Sequence, residues 1–409
     1  MNILVITQMY SQPDDVGANK PTKTVNYFAK EWIAAGHKVV VMHCPSKFPL
    51  VYYMMPSFLK NRISGRISTM TPPAASRRDL HWDENGIDVY RFPMLKFFPG
   101  QCFSDKQMEK HAEKICRTLD KIGFKPDLVA GHFANPSAEL TRIIAHKYQS
   151  MSSIVFHHDC DRNEVIKYRL KENCKSIRAI GARSVVEAGE VRNNLGLQQL
   201  PFVCCSGVPN DAVMQAEKTC SKHDYRNGIK YLYVGSMIKR KHLDVVIKAF
   251  SKIAESNDTL RIVAGGQEEI KMKELVKDLG IEDKVIFTGR VPRDKALQYM
   301  KESHILTLIS DDETYGMVYI EAMLQGCLTI ASWRGGFDGI IVDGENGFIC
   351  TPGSESELID IYKRIRSMNP ETRNAIGQKA INIAMEFSEK DVAERYLNDV
   401  IHRTKTQAV

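Results

Sequence analysis

His304-Ile305-Leu306-Thr307-Leu308-Ile309-Ser310-Asp311-Asp312-Glu313-Thr314-Tyr315-Gly316-Met317-Val318-Tyr319-Ile320-Glu321-Ala322-Met323 runs from an apolar stretch through an acidic loop into a helix. The first six residues lack polar alternation, as a parallel strand buried on both faces does. The loop after them lies at the carboxyl end of its strand, where open α/β sheets take ligands. Gly316 allows close backbone approach, and the amides of Tyr315, Gly316 and Met317 open the next helix. Free N–H groups at such a terminus favour a diphosphate. Glu313 sits in the loop and Glu321 one to two turns into the helix, so two carboxylates can grip two nearby sugars. Read without context, Glu313 is a solvated loop acid or cap and Glu321 an exposed helix residue.

Working outward, strands are predicted at Lys230–Val234, Arg261–Gly265, Val285–Thr288 and Leu328–Ala331, with His304–Ile309 among them. Helices fit at Leu243–Glu255, Glu269–Leu279, Lys295–Ser303 and Tyr319–Gln325, and three more close the chain. The stretch Tyr231–His242 is a strand, a turn at Gly235 and a basic helix start, from which Lys241 can neutralise the same diphosphate. By itself Lys241 reads as a solvated charge. Gly265-Gly266 and Gly289-Arg290 end two further strands. Three strand ends and one acidic loop thus point at one wall.

The first half alternates in the same way. Strands are expected at Ile3–Thr7, Val39–His43, Ile87–Arg91, Leu128–His132, Ile154–His157 and Ile177–Gly181, with helices such as Thr24–Ala35, Lys106–Ile122 and Pro136–Tyr148. The expected organisation is an N-terminal Rossmann-like domain over 1–210 and a polar linker over 211–228. A C-terminal Rossmann-like domain follows over 229–385, and a last helix over 386–409 packs back on the first domain. The ligand site belongs in the cleft between two such domains.

Composition narrows the class. Of 409 residues 43% are apolar and 26% charged, and Gly 26 with Pro 16 excludes collagen-like and low-complexity chains. No run of ~18 apolar residues occurs, and Met1–Thr7 reads as a strand rather than a leader. Ten Cys without a Cys-x-x-Cys suggest neither a zinc site nor a disulfide scaffold, so a cytoplasmic chain is expected. The net charge of +7 is uneven: residues 1–200 carry 28 Lys/Arg against 19 Asp/Glu, and residues 201–409 carry 28 against 30. No acid lies between Glu31 and Asp79, an interval that holds Lys60, Arg62 and Arg66 beside the apolar run Phe48–Leu59. Cations next to bulky apolar groups suit an anionic leaflet. The alternative is a helix–loop excursion whose aromatics are core. No nucleic-acid motif accompanies the charge.

From Tyr231 to Ile349 the chain resembles the donor-binding half of the family-4 retaining glycosyltransferases, whose GT-B fold sets two Rossmann-like α/β domains face to face across a cleft. The hallmark is a Glu-seven-residues-Glu pair, here Glu313 and Glu321. Gly17, Ala35-Gly36-His37-Lys38-Val39 and Asp127–Phe133 extend the resemblance through the first half. It implies that Lys241 binds the leaving diphosphate, Glu313 the donor sugar and Glu321 the ribose. It further implies that Gly235, Gly265, Thr314, Tyr315, Gly316 and Met317 shape the donor pocket, that Arg290 lines it, and that Gly17 lets the first loop approach the phosphates or acceptor. His132 matches a strand-end histidine that contacts the sugar. Two departures are Ser236, where the family usually has Arg, so that Arg240 or another cation must substitute, and Ala18 in place of a second glycine.

The resemblance implies front-face transfer with retention, from a UDP- or GDP-linked sugar, with no metal or other cofactor. Asp159-Cys160-Asp161 spells a metal–diphosphate motif, but it lies in the first half, away from the donor wall. The expected acceptor is an oligosaccharide or lipid-linked glycan, in capsule or exopolysaccharide assembly at the inner face of the cell membrane. The competing readings are a nucleotide-sugar epimerase or phosphorylase on the same fold, and a catalytically silent nucleotide-sugar-binding subunit.

Overall fold

A computed structural model describes residues 1–13, 23–56, 77–98, 100–216, 225–313 and 315–406. The chain forms two compact units. Unit 1 takes residues 1–183, 187–204 and 393–409; unit 2 takes 184–186 and 205–392.

Unit 1 contains strands β1 (Asn2–Thr7), β2 (Lys38–His43), β3 (Ser46–Lys47), β4 (Leu80–Glu84), β5 (Ile87–Arg91), β6 (Met94–Leu95), β7 (Leu128–His132), β8 (Met151–Val155), β9 (Ala179–Ala182) and β10 (Phe202–Val203). Eight of them form one sheet in the order β10-β9-β8-β7-β1-β2-β5-β4, while β3 pairs with β6. Only β4 runs antiparallel to its neighbour in the large sheet. Leu4, Ile6, Val40 and Met42 pack on Met108, Ile115 and Leu119 of the helix Asp105–Lys121. That helix starts where it does because Ser104 and Gln107 close a reciprocal capping box.

Unit 2 contains β11 (Lys230–Ser236), β12 (Thr259–Gly265), β13 (Val285–Phe287), β14 (Ile305–Thr307), β15 (Leu328–Ser332) and β16 (Phe348–Cys350). All are parallel, in the order β13-β12-β11-β14-β15-β16. Relative to chain order this is 3-2-1-4-5-6, the doubly wound arrangement, with its switch point between β11 and β14. Tyr231 pairs with Leu260 on one side and Ile305 on the other, so Ser236 and the residues after Thr307 emerge at the same edge.

Some expectations shift. β8 is Met151–Val155 and not Ile154–His157, because Ser152 and Ser153 are buried in it. Their hydroxyls have partners, the amide of Arg178 at 3.1 Å and Tyr396 Oη at 2.9 Å, so small polar residues sit in a strand that an apolar-run reading cuts short. The stretch expected as a polar linker opens with the helix Asn210–Ala216. No helix among the described residues is long and apolar enough to cross a membrane.

Candidate functional site

At the carboxyl edge of unit 2, a turn and a loop are zipped together. After β11 the chain makes a single 3-10 turn, Lys239–Lys241, and the helix Leu243–Ile253 follows. The amide of Asp311 donates to Arg240 O at 2.8 Å, and Arg240 Nη1 donates back to Asp311 O at 3.1 Å and Asp312 O at 3.3 Å. His242 Nε2 lies 2.8 Å from Asp311 Oδ2. At the centre, Lys241 Nζ and Glu313 Oε2 form an ion pair whose side chains are 11% and 13% exposed. A pair this covered is held by mutual neutralisation: removing either partner strands the other charge in a poor solvent for it.

The helix Met317–Leu324 begins beside that pair. Gly316 is its left-handed N-cap at φ 76°, and a Cβ there would stand 2.4 Å from the Tyr319 ring. Both facts demand glycine. Among the described residues no side chain caps the helix; the Tyr319 amide donates to Gly316 O at 2.9 Å, and the amides of Met317 and Val318 are left for an anion. Tyr315 is buried and its Oη donates to Ser206 O at 2.9 Å, which pins the residue before the turn. Glu321 is gripped by Arg293, with Nε at 2.8 Å and Nη2 at 2.7 Å from Oε1. Burial pushes the Glu321 carboxyl up, and Arg293 opposes the shift. Gly235 is the penultimate residue of β11, and Gly265 ends β12 with the Arg290 stem against it. A Cβ on Gly266 would meet Met237 O at 2.4 Å, so the exits of β11 and β12 touch through backbone. Thr314 lies outside the described residues.

Residues 218–383 match the family model described as glycosyl transferases group 1. That stretch of the chain is a group 1 glycosyltransferase domain. It is 28% identical over 166 residues to N-acetyl-alpha-D-glucosaminyl L-malate synthase of Bacillus anthracis, covering 40% of this chain and 43% of that one. The chain is 27% identical over 185 residues to alpha-monoglucosyldiacylglycerol synthase of Streptococcus pneumoniae, covering 44% of this chain and 42% of that one. The match therefore spans less than half the length of these relatives. In fold the whole chain is similar to Anabaena Alr3699/HepE, solved in complex with UDP, at a TM-score of 0.67 and 16% identity over 98% of this chain and all of that one. The fold is GT-B.

Within the glycosyltransferase domain the structure brings together Lys241, Glu313, Arg240 and Gly316, with Glu321 on the helix that Gly316 starts. The sequence reading missed Arg293, His242 and Asp311. Arg293 is 28 residues from Glu321, a spacing without periodic meaning, and only the packing of two helices joins them. Arg240 is spent on two loop carbonyls, which makes it a strut for the acidic loop.

In unit 1, His132 ends β7 and shows no surface to solvent. Its Nδ1 lies 3.2 Å from His157 Nε2, its ring stacks on Phe28, and Nε2 has no hydrogen-bond partner among the described residues. Burial, with the Arg183 charge adding to it, lowers its pKa to about 3, so the ring is neutral at physiological pH. Asp159 Oδ1 accepts the His157 amide at 2.7 Å and Oδ2 the Ala134 amide, while Asp161 caps the helix Arg162–Lys167. The two aspartates of the Asp-x-Asp spelling thus brace backbone. Gly17, Lys60, Arg62 and Arg66 lie outside the described residues.

Proposed function

We propose that this chain transfers a glycosyl group from a nucleoside-diphosphate sugar, UDP- or GDP-linked, to an oligosaccharide or lipid-linked acceptor, with retention and without a metal. What carries the reading is the covered Lys241–Glu313 pair at the switch point of a doubly wound sheet, beside a helix whose first amides lack a cap. A diphosphate arriving there gives Lys241 a second anion and releases Glu313 toward the hydroxyls of the sugar. The ammonium and the helix amides then stabilise the charge that develops as the anomeric carbon–oxygen bond breaks. The acceptor oxygen bonds to that carbon on the same face, and its proton passes to the departing diphosphate. Glu321, held by Arg293, suits the ribose. The UDP complex of the Anabaena protein supports a nucleotide donor.

Features of unit 1 support the acceptor and location parts of this reading. Lys96 N donates to Lys47 O at 2.9 Å, and the short helix Leu50–Met54 follows Lys47 while Phe97 and Phe98 follow Lys96. Leu50, Val51, Met54, Phe97 and Phe98 are all exposed. Arg77 flanks them, its Nε on Phe48 O at 3.1 Å and its charge over the Tyr53 ring. An apolar patch edged by cations fits an anionic leaflet, where each cation adds ~1 kcal/mol. The lipid product in the name of the streptococcal relative supports a lipid-linked acceptor. On this reading the chain acts in cell-surface polysaccharide assembly at the inner membrane face.

Incubation with a panel of UDP- and GDP-sugars, with chelator present, should give slow donor cleavage and an acceptor-dependent product of unchanged anomeric configuration by NMR. Inversion, or epimerised nucleotide sugar as the sole product, overturns the reading. Sedimentation with anionic vesicles tests the membrane part separately: Phe97→Ser with Phe98→Ser, or Lys60, Arg62 and Arg66→Glu, should each reduce binding.

A further inference from the structure

A second pocket opens at the amino edge of the unit 2 sheet. It encloses about 580 Å³ and is bounded by Tyr225, Glu255, Asp258, Arg366, Pro370 and Arg373, with Arg226 also in its wall. β11 has seven residues, so this pocket lies roughly 20 Å along the strands from the Lys241 edge.

Its charges are unevenly matched. Asp258 is fully spent: Oδ1 accepts the Ile229 amide at 2.7 Å, and Oδ2 accepts the Glu255 amide at 2.9 Å and Arg366 Nη2. Glu255 is taken by Arg366 Nη1 at 2.9 Å. Arg373 is different. It is only 7% exposed, its Nε has no hydrogen-bond partner among the described residues, and its guanidinium rests on the Tyr225 ring at 3.7 Å from the centroid. It stands in the first turns of the 16-residue helix Pro370–Met385, whose N-cap Asn369 accepts the Thr372 amide at 2.7 Å. A cation covered to this degree is normally paired, since an aromatic face replaces lost hydration only in part. The positive end of a long helix adds to the same field.

We propose that this pocket is an oxyanion site, in which the Arg373 guanidinium, in the field of the positive end of its helix, binds the phosphate or carboxylate of a small metabolite. The pocket volume accommodates a small-molecule body behind that group. Arg366 and Asp258 fix the wall, and Tyr225 holds the guanidinium flat so that its fork meets the anion edge-on. The site is independent of the donor reading, because it shares no residue with it.

Inorganic phosphate is the probe, titrated into the full chain by calorimetry and by thermal unfolding. Wild type and Lys241→Ala should both bind it and unfold at higher temperature with it. Arg373→Gln should bind at least about tenfold more weakly, and Arg373→Lys, which keeps the charge but not the fork, should fall between them. If Arg373→Gln does not fold, the Arg373→Lys weakening carries the test. Citrate as competitor separates the two chemistries: displacement assigns oxyanions generally, and its failure narrows the site to phosphoryl groups. Binding that is unchanged in both Arg373 variants, absent in wild type, or lost in Lys241→Ala overturns the proposal.

Discussion

The carboxyl edges of the two sheets are furnished with opposite chemistry. In unit 2 the edge is ionic: Lys241 faces Glu313, Arg293 faces Glu321 and His242 faces Asp311. In unit 1 the edge is buried: His132 and His157 are both held below their ordinary range by burial, and Asp159 is pushed up to about 6 by the same cause. Two largely parallel sheets therefore do different work. One offers ion pairs that a diphosphate can re-pair; the other offers uncharged imidazole rings fixed by packing. Mutation should separate them by kind of effect: activity without shape at one edge, pH-dependent stability at the other.

The largest effect belongs to the ion pair. Lys241→Ala should lower kcat/KM by about a thousandfold, since it removes the main counter-charge to the leaving group. It should also destabilise unit 2 more than the double variant Lys241→Ala with Glu313→Ala, which strands no charge. Activity assays with urea unfolding read both. A double variant less stable than Lys241→Ala would mean that the pair is a net structural asset and not two ligands in waiting.

The unit 1 prediction concerns pH. The folded His132 titrates near 3 against an ordinary 6.5, so the unfolded chain takes up the proton first and stability is lost as pH falls below 6.5. Asp159 works in the other direction: its folded pKa near 6 exceeds the ordinary 3.8, so its contribution grows as pH falls across that interval. His132→Phe, which keeps a ring in the Phe28 stack, should remove about 2 kcal/mol of the stability change between pH 7 and pH 5. Equal pH dependence of stability for wild type and variant, read by urea unfolding at pH 7 and pH 5, would break the unit 1 half of the comparison.

Next comes Arg293. With it replaced by Ala, Glu321 keeps its burial and loses its counter-charge, so its carboxyl protonates at higher pH than before. Donor KM should rise about tenfold with kcat nearly kept, and the rise should steepen as pH falls. A flat pH profile, or a loss confined to kcat, would detach Arg293 from the binding of donor.

Much of this was legible before any coordinates. The acidic loop, Gly316 and the helix after it could be read because an apolar strand, a turn residue and a helical period are local signals. β8 was misplaced because Ser152 and Ser153 are polar by type and buried by virtue of partners far along the chain, Arg178 and Tyr396. The pairing of Arg293 with Glu321, the latch of His242 on Asp311 and the orphaned Arg373 had no local signal at all. Each depends on which helix packs where, and charge spacing along a chain does not encode that.

The smallest effect tests whether Arg240 belongs to the ionic edge or to its scaffolding. The family resemblance makes it one candidate to replace the arginine absent at Ser236; its guanidinium donates to the carbonyls of Asp311 and Asp312. A cation on the phosphate would lose two to three orders of magnitude of activity on removal. A strut between a turn and a loop loses one or two ordinary hydrogen bonds, ~1 kcal/mol. The loop also keeps the Asp311–Arg240 backbone bond and the His242 latch when the side chain is cut away. Arg240→Ala should therefore raise donor KM only about threefold to fivefold and leave kcat close to wild type. Steady-state kinetics at saturating acceptor decide it. A hundredfold loss in kcat would move Arg240 to the phosphates, and the ionic edge would then hold two cations for one diphosphate.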